Sequence, residues 1–293
     1  MLKELAETYP QLYLDPDKSS IDEYRAVVLS GKRPGGTRSL DHFTTDERDR
    51  REYIETPAGK ACVITLYNRR DFEVFVRCMM AAKKGPQNEI PETMGASTLI
   101  TFNWPRIHAH MDAFMEEQRA AGVASPDYDA EFKRFTSVRA NIQDMLIVLS
   151  HGPYSNVTAD QVNRLESMSG REPMDDAAWD EASDTVRKFH ELTHFVCRRL
   201  YPDDIDEIRD ELIADAVGIY AAFGEYCKDM EELFLGISEA RYTGGRIENY
   251  AAEGTDMDEL AKQISARLAG YEAEIAASPV KDIYDLMMRL MKY

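Results

Sequence analysis

Between Leu200 and Asp206 the sequence ends one helix and starts another, and so short an interruption leaves the chain little choice of direction. The segment Ser183–Leu200 opens on good N-cap residues and carries Val186, Phe189, Val196 and Leu200 at helical intervals. Tyr201-Pro202 stops it, because proline has no N–H to donate and its ring crowds the preceding turn. Asp203-Asp204-Ile205-Asp206 then offers an acid-rich, capped start for a second helix, expected from Asp204 to about Phe223. With so few connecting residues the second helix must return antiparallel to the first. Ala214, Gly218 and Ala222 are small residues along it, so the two backbones can approach closely.

This hairpin brings chemistry together. In His190-Glu191-Leu192-Thr193-His194 the two histidines stand at i and i+4 on one helix face, where two imidazoles can converge on a single tetrahedral ion. Glu191 lies beside them, as needed to take a proton from water held by that ion. A catalytic zinc site has three protein ligands, so a third is required. At about 1.5 Å per residue the path climbs roughly 10 Å from His194 to the turn and returns roughly 12 Å by Glu211. Glu211 therefore comes level with the histidines. Asp215, one turn deeper on the same face, falls near His190, where it can accept the ring N–H that metal binding leaves free.

These residues resemble the gluzincin group of metallopeptidases, whose pattern is H-E-x-x-H followed on a second helix by E-x-x-x-D. Here it reads His190-Glu191-Leu192-Thr193-His194, sixteen intervening residues, then Glu211-Leu212-Ile213-Ala214-Asp215. The resemblance covers about 183–223. It implies that His190, His194 and Glu211 bind Zn2+, that Glu191 is general base and acid, that Asp215 orients His190, and that the reaction is hydrolysis of a peptide or protein substrate. No clear counterpart of the group's oxyanion-stabilising histidine is present.

The same residues admit other readings. Glu-x-x-His also marks di-iron helical bundles, but these need a second such pair, and none of His42, His108, His110 and His151 has a glutamate three residues before it. Cys197, at i+3 from His194, reads as a buried, inert thiol. The acids from Asp203 to Asp210 read as a solvated helix start rather than a calcium site. In the loop Arg241–Tyr250, the pair Gly244-Gly245 permits unusual backbone next to Tyr242 and Arg246, either of which can steady a developing oxyanion. The segment Ile90–Ala96 is a candidate for shaping a substrate edge, whereas His108 and His110 fall on different sides of their helix and read as structural. The alternative function is a non-catalytic, zinc-binding helical protein with a regulatory or binding role.

Elsewhere, apolar stripes at helical spacing mark 71–84, 104–120, 256–275 and 282–292, and Tyr128 to Leu149 reads as one long amphipathic helix. Ala61–Tyr67 and Ser97–Phe102 are the convincing strands, and 31–60, rich in Gly, Pro and mixed charge, reads as a long surface loop. The expected fold is α+β and predominantly helical, zincin-like, with a small sheet and an active-site helix pair. Residues 1–150 form an N-terminal α+β part carrying the sheet and the loop, and 151–293 a helical metal-binding part. A net charge of −18 repels phosphate backbones and anionic lipid, which argues against nucleic acid and membrane partners. The opening Met1–Pro10 meets charge too early for a signal peptide, and no apolar run approaches the ~20 residues of a membrane span. Four widely spaced cysteines without a Cys-x-x-Cys pair then suggest reduced thiols and a cytoplasmic protein.

Overall fold

A computed structural model describes residues 1–35, 38–79, 89–203 and 206–292. The helices are α1 (Leu2–Thr8), α2 (Ile21–Ser30), α3 (Arg69–Met79), α4 (Trp104–Ala120), α5 (Tyr128–Thr136), the single turn α6 (Arg139–Ile142), α7 (Ala159–Val162), α8 (Asp176–Leu200), α9 (Glu207–Phe223), α10 (Lys228–Leu235), α11 (Met257–Ala277) and α12 (Ile283–Leu290). The strands β1 (Arg50–Thr56), β2 (Gly59–Leu66), β3 (Ala96–Phe102) and β4 (Gln143–Ser150) form one sheet in the order β1-β2-β4-β3, and β5 (Ile237–Ser238) pairs antiparallel with β6 (Arg241–Tyr242). The fold is α+β, predominantly helical, with a small mixed sheet.

Two strands differ from the sequence reading. The expected helix from Tyr128 to Leu149 is divided: α5 ends at Thr136, α6 is a single turn, and residues 143–150 are a strand. Met145, Ile142 and Val138 fit a helical stripe, but Leu146–Ser150 are buried without a break, as a strand between two neighbours requires and a one-sided helix does not. The assumed loop 31–60 contains β1. This strand is an edge of the sheet, so its residues are charged and half-exposed and show no apolar alternation; charge on an edge also discourages pairing with other chains. The 71–84 stripe is helical to Met79, and 80–84 lie outside the described residues.

The chain divides into two compact units. The first comprises Met1–Arg51, Leu66–Pro91 and Thr98–Val148. Within it Tyr24 is fully buried among Leu14, Val27 and Val28 and donates to the Cys78 carbonyl at 2.9 Å. The buried Asp71 carboxylate accepts the backbone N–H groups of Thr44 and Thr45, both at 2.8 Å. His110 pairs with Glu131 at 2.6 Å and stacks on Phe135, a structural role consistent with its place on α4.

The second unit comprises Glu52–Thr65, Glu92–Ser97 and Leu149–Tyr293. Its core gathers Trp179, Val186, Ile219, Met230 and Phe234. α8 begins before the expected Ser183: Asp175 caps it by accepting the Ala178 N–H at 2.8 Å, and Trp179 gives the added turns an apolar anchor. α9 starts at Glu207 with Asp206 as its cap; the expected start, Asp204, lies outside the described residues. At the crossing of the two helices Gly218 stands so close that a Cβ there would sit 2.6 Å from the Val186 carbonyl oxygen. No described helix is long and apolar enough to cross a membrane.

Candidate metal centre

His190 and His194 lie one turn apart on α8, both buried, with His190 Nε2 and His194 Nε2 3.1 Å apart. From α9 the Glu211 carboxylate closes the triangle, with Oε2 3.4 Å from His190 Nε2 and Oε1 3.2 Å from His194 Nε2. For a tetrahedral zinc with bonds of ~2.0 Å the ligand atoms must be about 3.3 Å apart. The two imidazole nitrogens are near that spacing, each has a different Glu211 oxygen at a similar distance, and one donor atom from each of the three residues lies within 4.8 Å of the others; two imidazoles and a carboxylate form a set that zinc accepts. Among the described residues this is the one cluster of three such donors.

Asp215 is fully buried one turn further along α9, and its Oδ1 accepts from His190 Nδ1 at 2.8 Å. That bond puts the ring proton on Nδ1, so in the neutral ring the Nε2 lone pair faces the other ligands. A buried carboxylate held by one imidazole would be costly, and two further groups attend it. Tyr154 donates its hydroxyl to Asp215 Oδ1 at 2.7 Å, and Arg246 donates Nη2 to Oδ2 and Nη1 to the Tyr154 oxygen at 2.6 Å.

The ionisation directions follow from these contacts. Burial works against the His190 imidazolium, but the Asp215 hydrogen bond and the Glu211 charge outweigh it and raise its pKa. Burial likewise opposes the Glu211 and Asp215 carboxylates. For Glu211 the His194 hydrogen bond and both imidazole charges prevail, for Asp215 the Arg246 guanidinium leads, and both acids fall below the usual range. The buried Asp215 and the half-buried Glu211 carboxylate thus face one guanidinium, and the remaining negative charge favours a proton or a cation on the imidazole side.

Tyr154 lies in His151–Val157, a stretch of turn composition with no motif or helical period to single it out. Its ring meets Phe234 edge-on at 4.9 Å, its N–H donates to Ser183 Oγ at 2.9 Å, and Trp179 Nε1 ties the same segment down through the Val157 carbonyl at 2.7 Å. Tyr250 was also missed as a site residue. It donates its hydroxyl to Glu211 Oε2 at 2.9 Å, and burial, ahead of the lowering effect of Arg246, raises its pKa. A cavity of about 540 Å³ adjoins the cluster, with His194, Glu211, Tyr201, Pro202, Asn249 and Tyr250 among its walls.

Other sequence candidates fall elsewhere. Glu191 is half-buried beside His190, and its charge acts on Arg187 four residues earlier. Tyr242 does not line the cavity: its hydroxyl is engaged with the backbone of Gly245 and its N–H with Asp258. Arg246 reaches the site, but in a different capacity from oxyanion stabilisation, because its guanidinium is taken up by Asp215 and Tyr154. Gly245 makes that reach possible, since a Cβ there would lie 2.7 Å from the Gly236 Cα. Cys197 lines the cavity as a thiol pushed up to about 12 by burial, with Sγ 3.3 Å from Met291 Sδ. His151 is bonded through Nδ1 to the buried Asp184 at 2.8 Å and stands outside the three-donor cluster.

No curated protein and no solved structure matches the chain. A family model does match, over residues 3–279, and the chain belongs to that family, DUF7005, a family of unknown function.

Proposed function

We propose that this chain is a zinc-dependent hydrolase, and that its reaction is hydrolysis of a peptide bond in a peptide or protein substrate. The observation that carries the reading is the convergence of His190 Nε2 and His194 Nε2, 3.1 Å apart, on the Glu211 carboxylate, whose Oε2 and Oε1 lie 3.4 and 3.2 Å from them respectively, beside a cavity. Zinc held there would lower the pKa of water and polarise a carbonyl. Glu191, half-buried one residue after His190, would take a proton from the attacking water on its carboxylate and return it to the leaving nitrogen. The Tyr250 hydroxyl, on the cavity wall, would turn from Glu211 Oε2 to the carbonyl oxygen as charge develops there, in place of Tyr242 or Arg246. Asp215 keeps the His190 proton on Nδ1. The peptide as substrate class rests on the resemblance to gluzincins. The four cysteines, none of them in a disulfide, accord with a cytoplasmic setting, which belongs to the same proposal.

The test is bound zinc, measured by elemental analysis, together with turnover of a mixed peptide library, for wild type and Glu191→Gln. The expected result is equal zinc and a loss of turnover of about 10²–10⁴-fold. Equal turnover in the two proteins would reject the catalytic role, and equal zinc with no turnover in either would leave a non-catalytic zinc protein.

A further inference from the structure

We propose that Tyr154 is a positioning residue of the metal centre, acting together with Arg246 through Asp215. The inference rests on the metal-centre reading above and goes beyond it, since neither residue touches the three donor atoms.

Asp215 has two oxygens and three donors. Oδ1 accepts from His190 Nδ1 at 2.8 Å and from the Tyr154 hydroxyl at 2.7 Å, while Oδ2 accepts from Arg246. The Tyr154 oxygen in turn accepts from Arg246 Nη1 at 2.6 Å and stands 3.0 Å from His190 Nδ1. The hydroxyl therefore links the guanidinium, the carboxylate and the imidazole in one closed set. Asp215 cannot rotate without breaking bonds to two elements besides α8, and so the His190 ring is held in one plane with Nε2 toward Glu211.

Tyr154 is itself held with unusual thoroughness. The guanidinium carbons of Arg187 and Arg246 lie 5.6 and 5.2 Å from its ring centroid. The two residues after it, Ser155 and Asn156, have φ of 54° and 58°, a left-handed backbone that side-chain-bearing residues rarely adopt in succession. Ser155 Oγ donates to the Phe234 carbonyl at 2.9 Å and secures that turn. Strain next to a fully bonded tyrosine marks a position fixed for its hydroxyl.

The test is a double-mutant cycle on zinc affinity, read by competition with a chromophoric chelator, for wild type, Tyr154→Phe, Asp215→Asn and the double variant. Thermal melts of the metal-free proteins check that each is folded. Tyr154→Phe is expected to weaken zinc binding about 10–100-fold, as loss of an outer partner of a ligating histidine does. In the Asp215→Asn background the same change is expected to have no further effect, because its route to the metal is gone. A merely structural role predicts additive losses, which overturn the proposal, as does a Tyr154→Phe protein with wild-type affinity. A wild type that binds no zinc overturns the metal centre and this inference together, and so is distinguishable from failure of the inference alone. Should Tyr154→Phe not fold, Arg246→Lys, which keeps a charge but loses the two-pronged reach, enters the cycle in its place with the same expectation of non-additivity.

Discussion

Glu231 has no exposed surface, and no hydrogen bond of ordinary geometry reaches either carboxyl oxygen, the Tyr226 hydroxyl being its polar neighbour. Burial, then the nearby Asp215 charge, raise its pKa well above the usual carboxylate range, against smaller opposing effects of Tyr226 and Arg246. The folded chain thus holds the Glu231 proton more tightly than the unfolded chain, where the group ionises near 4.5. Its contribution to stability is complete below that pH and is lost as pH rises toward the folded-state value. Glu231→Gln, which mimics the neutral acid, is expected to flatten that decline and to be more stable than wild type at pH 8; parallel urea-unfolding profiles for the two proteins from pH 5 to 8 would contradict this. Residues of this kind separate what the sequence discloses from what it hides. Glu211 and Asp215 were legible because helical spacing converts sequence number into a face, and two helices joined by a short turn convert two faces into one site. Tyr154 lies 36 residues from His190 and 61 from Asp215, and Tyr250 lies 39 from Glu211, on segments whose courses no periodicity records.

At the scale of elements, the α8 and α9 pair depends on Gly218. Alanine there removes the helix penalty of glycine, a gain of about 1 kcal/mol, but its Cβ would meet the backbone oxygen of Val186, which cannot swing aside as a side chain can. Overpacking of that kind costs about 1–3 kcal/mol. Gly218→Ala is expected to lose stability on balance and to bind zinc more weakly, since a shift between the helices separates Glu211 from the histidines. Urea unfolding and a zinc titration check both, and a variant as stable as wild type would show that the helices tolerate the displacement. Helices with one apolar stripe were readable as elements, α4 to the residue. The strands β1 and β4 were not, for opposite reasons: β1 is an edge whose side chains are mostly polar, and β4 is so continuously apolar that its period vanishes.

For the whole molecule, the mainly helical α+β class followed from the prevalence of amphipathic stripes and the scarcity of strand signals. All three donors come from the second unit, so zinc binding is expected to stabilise that unit by mass action, by about 2.7 kcal/mol at a hundred times Kd. Thermal unfolding with zinc and then with excess EDTA checks this, and hydrogen exchange should show the added protection in α8 and α9; melting curves indifferent to both additions would count against a native metal. Tyr201 and Pro202, which turn the chain so that Glu211 can meet the histidines, are at the same time part of the cavity wall. Reshaping the chamber from that side therefore disturbs coordination, whereas Asn249 arrives on a separate stretch of chain, where Tyr250 rather than Asn249 is bonded to a ligand. Any retuning of what the chamber admits has its freest path there.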